Sequence, residues 1–168
     1  NGSENAFLPP INTQNCYVWG RSLTNMRYEL IGNSDIRISA GGKHLNYKGR
    51  MPGVLEEIAI TIMQKKPLYL LGGFGGVTSS VCEMIEKNEL PEKLSKQWQL
   101  QNQGGYKDLI DLYTEADTWN DFMYDDLKEM IRMENLNNCL NSEDNIKLLK
   151  TQFVDEAIYL ILKGVKNI

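Results

Sequence analysis

One arrangement constrains this chain more than any other: a β-compatible run, a glycine pair and an amphipathic helix, occurring twice in succession. The first run, Asp35-Ile36-Arg37-Ile38-Ser39-Ala40, stops at Gly41-Gly42. A helix is then signalled by Pro52, tolerated in a first turn, and by the stripe Leu55, Ile58, Ala59, Ile62 and Met63. Lys65 and Lys66 follow at its negative end. The second run, Leu68-Tyr69-Leu70-Leu71, is apolar without alternation, as expected of a strand buried on both faces. It stops at Gly72-Gly73-Phe74-Gly75-Gly76, after which Thr78 or Ser79 is placed to cap a helix carrying Val81, Cys82 and Ile85. A strand, helix and strand in this order predict parallel pairing with a right-handed crossover.

Outside that unit the signals are helical. Residues 1–16 read as a loop or loose terminus. Ser22 is the expected N-cap of a helix with Leu23, Met26, Arg27, Leu30 and Ile31, stopped by Gly32-Asn33. Residues 90–117 read as polar and irregular. Thr118 is expected to cap a helix with Phe122, Met123, Leu127, Met130 and Ile131, and Ser142 to start a short one. Residues 155–163 form the last, with Ile158, Ile161 and Leu162 inward and Gly164 as C-cap. The fold class is α/β: a Rossmann-like parallel sheet flanked by helices, with a Rossmann-like glycine-loop core at 17–88. A mostly helical portion at 89–168 covers or extends the same domain. Two strands make a thin sheet even if 16–19 or 6–8 adds another. The domain is therefore expected to be incomplete, its missing strands supplied by another segment or by a partner subunit in an oligomer.

Why glycine should follow each strand is a question of chemistry. In open parallel sheets ligands bind beyond the carboxyl ends of the strands. Phosphate approaches the backbone there, glycine permits close contact and positive φ, and the next helix offers free N–H groups. The candidate ligand-binding residues are accordingly Gly41, Gly42, Gly72, Gly73, Gly75, Gly76 and Thr78, with Lys43 and Arg50 as cations. The competing explanation is two tight turns without a ligand. Neither loop is a Walker motif, and Gly-Phe-Gly-Gly-Val-Thr departs from G-x-G-x-x-G at Thr78. Glu56 and Glu57 fall in a first helical turn, where the dipole favours anions; were the chain an enzyme, Glu57 is the preferred acid/base. His44 reads as a loop bystander, and Trp19, Trp98 and Trp119 are too scattered for a stacking platform.

Composition limits the partners. With 18 basic against 22 acidic residues the net charge is −4, which argues against bulk nucleic-acid binding. Three isolated cysteines and a single histidine give no metal framework, and no metal or further cofactor is expected. The longest nearly apolar run, 67–76, is too short to span a bilayer, and no secretory signal is evident. The expectation is a cytoplasmic protein with a nucleotide-derived small molecule as partner.

The segments ISAGGK with GRMPGVLEE, and PLYLLGGFGGVTSSVCE, resemble the SLOG superfamily. It joins LOG-type nucleotide phosphoribohydrolases, DprA-like proteins and nucleotide-sensing domains. Gly41-Gly42 and Gly49-Arg50-Met51-Pro52-Gly53 are similar to the first LOG-type loop, and Gly72-Gly73-Phe74-Gly75 to the second. Leu71, Gly76 and Ser79 stand where LOG-type enzymes have proline, threonine and the glutamate used in cleavage. Gln64-Lys65-Lys66-Pro67 lacks their arginine, so that catalytic pair does not carry over. Arg21-Ser22-Leu23-Thr24-Asn25-Met26-Arg27 instead resembles branches associated with bacterial defence and signalling. The resemblance covers residues 17–88, and more weakly 141–164. It implies binding or sensing of an ADP-ribose-like ligand or nucleoside monophosphate; the alternative is a nucleotide N-glycosidic-bond hydrolase or transferase.

Overall fold

A computed structural model describes residues 9–116 and 122–168. The first helix, α1 (Thr13–Gly32), begins nine residues before the expected cap: Asn12 accepts a hydrogen bond from the Asn15 N–H at 2.8 Å. Ser22 lies inside α1 and returns its hydroxyl to the Val18 carbonyl at 2.9 Å, a bond a mid-helix serine makes readily. The inward line of α1 is Gly20, Thr24, Arg27 and Ile31, so its period is right but its chemistry is largely polar. Residues 16–19 belong to this helix and add no strand; residues 6–8, Thr118 and Trp119 lie outside the described residues.

Strands β1 (Arg37–Ala40) and β2 (Leu68–Leu71) pair in parallel, Arg37 beside Leu68 and Ala40 beside Leu71, with α2 (Gly53–Met63) as the crossover. Helix α3 (Gly76–Lys87) follows β2 and is capped by Gly75, with Thr78 already in its first turn. The mixed α/β body, with a two-stranded parallel sheet among the described residues, is the incomplete Rossmann-like domain anticipated.

Alternate residues of β2 enter different apolar clusters. Leu68 and Leu70 join the main core with Leu55, Ile58, Val77 and Val81, whereas Tyr69 packs with Leu148, Ala157, Leu160 and Ile161. The sheet thus has α2 and α3 on one face, and α7 (Ser142–Lys150) and α8 (Val154–Val165) on the other. The polar stretch after residue 90 is ordered: α4 (Lys96–Asn102) is capped by the Ser95 side chain, and α5 (Tyr106–Glu115) packs Tyr113 edge-on to Tyr17, centroids 5.0 Å apart. After α5 the helix expected around Phe122 to Ile131 shrinks to a 3-10 turn at Tyr124–Asp126 and the single turn α6 (Leu127–Met130).

In α8 the inward residues are Ala157, Leu160, Ile161 and Gly164; Ile158 and Leu162 face outward, against expectation. Gly164 is inside the helix and not its cap, because α8 passes so close to the sheet that a Cβ there would meet the Asn138 carbonyl and the Tyr69 hydroxyl, each 2.5 Å away. No described helix is long and apolar enough to cross a membrane.

Candidate functional site

Both glycine loops emerge from the carboxyl ends of paired strands, so they lie side by side. They are also bonded to each other. The Val77 N–H donates to the Gly42 carbonyl at 3.1 Å and the Thr78 N–H to the Gly41 carbonyl at 2.8 Å. A Cβ at Gly76 would sit 2.5 Å from the Gly41 carbonyl carbon, and one at Gly42 2.8 Å from Val54. At Gly72 it would strike Cys82 and the Leu149 carbonyl, and at Gly73 the Lys150 and Thr151 carbonyls. Four of the six glycines therefore permit close approach between parts of the protein itself.

Gly41 and Gly75 are different. Both have positive φ, 64° and 78°, and the Cβ direction of each opens into empty space. Next to them Lys43 and Phe74 are exposed and Ser79 is half-buried. A cleft of about 530 Å³ runs from Gly72, Gly73 and Gly75 past Ser79 to Lys150 and Gln152 at the end of α7. The two lysines that reach it are tied to carboxylates, Lys150 to Glu86 at 2.9 Å and Lys87 to Glu83 at 2.6 Å.

Two of the residues read as ligand contacts sit elsewhere. Thr78 is fully buried, and its N–H is taken by Gly41, which withdraws it from any anion at the helix end. Arg50, 1 % exposed, donates from Nε to Glu56 at 2.8 Å while its guanidinium lies 4.5 Å over the ring of Phe122. Its position is internal because Glu56, itself 0 % exposed, needs compensating charge: it also accepts from Thr24 Oγ1 at 2.6 Å and from Arg27 Nη1. The dipole role expected of Glu56 is thus secondary to a buried charge cluster that joins α1, α2 and the 49–52 turn. Gly53 makes room for it, since a Cβ there would lie 2.6 Å from Arg27 Nη2.

Glu57 is partly exposed and ion-paired with Arg27 at 3.4 Å and with Arg37 Nη2. Arg37 opens β1, so the Glu57 carboxylate is held by cations from both α1 and β1. His44, read as a bystander, bonds Ser80 in α3 at 2.9 Å and so ties the first loop to the helix after the second. Burial, aided by the charge of Lys93, pushes its imidazole below the usual 6.5.

Several residues that position the loop gave no signal by period or motif. Gln99, 0 % exposed, accepts from the Tyr47 hydroxyl at 2.8 Å, and Gln103 bonds both the Asn46 N–H at 2.7 Å and the Tyr47 carbonyl at 2.9 Å. The Gln-rich stretch is an amide clamp on loop 44–48. Burial holds the Tyr47 phenol up at about 12. Thr24 and Arg27 could have been found, because three-residue spacing puts them on one helix face.

A two-layer helical cover over parallel strands that end in paired glycine turns defines a Rossmann-like glycine-loop protein. The family model described as SLOG cluster2 matches residues 1–148, and the chain belongs to the SLOG superfamily. That membership points to nucleotide-related binding or processing. Comparison with curated proteins and with solved structures returns no match.

Proposed function

We propose that the chain binds a nucleotide-derived phosphate ligand, of the ADP-ribose or nucleoside-monophosphate type, at the mouth formed by Gly41 and Gly75. The observation that carries this is the pair itself: two glycines of positive φ, open to solvent, on abutting loops at the carboxyl ends of adjacent parallel strands. Backbone there is approachable by an anion without a side chain in the way. Lys43, exposed beside Gly42, supplies a cation, and Ser79 a hydroxyl. The flanking cleft, with Gly72 and Gly73 in its wall, is of a size that takes a nucleotide.

Binding is favoured over glycosidic-bond cleavage because Glu57, the acid such chemistry would use, is engaged by both Arg27 and Arg37. A sensing role in bacterial defence or signalling, in the cytoplasm, is the setting this proposal takes from the sequence resemblance.

Thermal melting of the chain with ADP-ribose, AMP and inorganic phosphate tests it. A ligand that binds only the folded state stabilises it by about 2.7 kcal/mol at a hundredfold excess over Kd. The expected result is a raised Tm with at least one nucleotide, an unchanged nucleotide after incubation, and a weaker shift for Lys43→Ala. Unshifted melting with all three probes would remove the proposal; release of free base that Glu57→Gln abolishes would replace it with the hydrolase.

A further inference from the structure

The first glycine loop is tied to α3 at a second place, and cations gather there. His44 Nε2 lies 2.9 Å from Ser80 Oγ. Ser80 stands two residues after Thr78, whose N–H holds the Gly41 carbonyl, so the two contacts are about 3 Å apart along the axis of α3. Lys43, the neighbour of His44 in the loop, is exposed. Lys93 comes from the 3-10 turn Glu92–Leu94 that follows α3. A buried amide fixes that turn to the loop. Gln99, 0 % exposed, accepts from the Tyr47 hydroxyl at 2.8 Å and donates from Nε2 to the Lys93 carbonyl at 2.7 Å. The Lys93 charge is felt at the imidazole of His44, whose hold on a proton it weakens.

Like charges held close together are costly unless offset. Lysines nearby are offset: Glu83, one turn beyond Ser80, is bonded to Lys87 at 2.6 Å, and Glu86 to Lys150 at 2.9 Å. Lys43 and Lys93 form no ion pair among the described residues, and Ser80 is the side chain that His44 bonds. The positive spot is also small. Glu83, Glu86, Glu89 and Glu92, all exposed, follow it along α3 and the turn after, in a chain of net charge −4. A long polyanion is repelled by such surroundings, whereas a compact one fits between them.

We propose that Lys93, His44 and Ser80, with Lys43, hold the second phosphate of a diphosphate-linked nucleotide whose first phosphate lies at the Gly41 and Gly75 mouth. This rests on the function proposed for the mouth, and it narrows the ligand to the ADP-ribose type, since a nucleoside monophosphate has no second phosphate to place. The phosphate oxygens accept from Lys93 Nζ, from the Ser80 hydroxyl and from the imidazole. The charged groups around the ring are Lys43 of its own loop, Lys93 of the 3-10 turn and, on α3, Glu83, which is engaged by Lys87. An arriving anion therefore opposes the effect of Lys93, and His44 takes up a proton as the diphosphate binds.

Calorimetry with AMP, ADP and ADP-ribose, on the wild type and on Lys93→Ala, tests this together with NMR titration of the His44 ring. Both diphosphates are expected to bind at least about tenfold more tightly than AMP, the worth of one hydrogen bond to a charged group. Lys93→Ala should erase most of that ratio and, without ligand, move the His44 midpoint up towards 6.5. In the wild type the diphosphates should raise the midpoint more than AMP does. Lys93→Gln replaces the alanine variant if the latter melts early. A diphosphate-to-AMP ratio that both variants leave unchanged, or a His44 midpoint that the diphosphates do not raise, overturns the second phosphate site while AMP binding keeps the mouth. Binding of none of the three removes the mouth and this site with it.

Discussion

Arg50 Nε lies 2.8 Å from Glu56 Oε1, and neither residue is more than 1 % exposed. Pairing at that depth is a matter of mutual need: each charge would be costly alone, and their attraction with the bonds from Thr24 and Arg27 offsets the loss of water. Removal of one partner strands the others. Glu56→Gln should lower the unfolding free energy by about 3–5 kcal/mol, the usual result of breaking a buried pair. Urea titration followed by circular dichroism measures it. A change below ~1 kcal/mol would mean the cluster is not internal in solution.

The glycines separate into two kinds that mutagenesis can distinguish. Gly75 has φ 78° and ψ −164°, a region kept almost to glycine, with space beyond its Cα, so Gly75→Ala should cost about 1–3 kcal/mol of backbone strain without a steric clash and leave the fold intact. Gly76 has positive φ and the Gly41 backbone against it, so Gly76→Ala should destabilise by clearly more. Chemical denaturation of the two variants side by side gives the order. Equal losses would show that the loops do not abut.

His44 is the single histidine, which makes its titration readable by NMR without assignment of others. Burial and Lys93 hold its folded pKa below 6.5, so the unfolded chain binds the proton more readily. The stability that the neutral ring contributes is complete above pH 6.5 and is lost as pH falls through the folded pKa. A midpoint below 6.5 is expected. A midpoint above 6.5 in the wild type would contradict the environment described.

How much of this was legible beforehand follows the range of the forces involved. The runs before Gly41 and Gly72, and the stripe of α2, declare themselves because alternation and 3.6-residue periods are local. The first turns of α1 carry no hydrophobic stripe that would announce them, since Gly20 is the one buried residue in 13–21. α4 and α5 give no such signal, because Gln99 reads as a surface residue until Tyr47 and Lys93 are brought to it. Ile158 and Leu162 face outward although their period suits a core, because an apolar residue on a wide stripe does not say which part of the stripe meets the core.

From its residues alone the chain determined a parallel strand pair, the glycine turns that end both strands and the helices most strongly patterned around them. Each depends on neighbours within a few positions. Only the tertiary structure decided that Arg50 faces Glu56 instead of solvent, that Gly42 and Gly76 serve loop against loop, and that of the six glycines in the two loops Gly41 and Gly75 stay open. Burial of a charge, and the room beyond a Cα, depend on groups brought from far along the chain, so they exist only after the layers have packed.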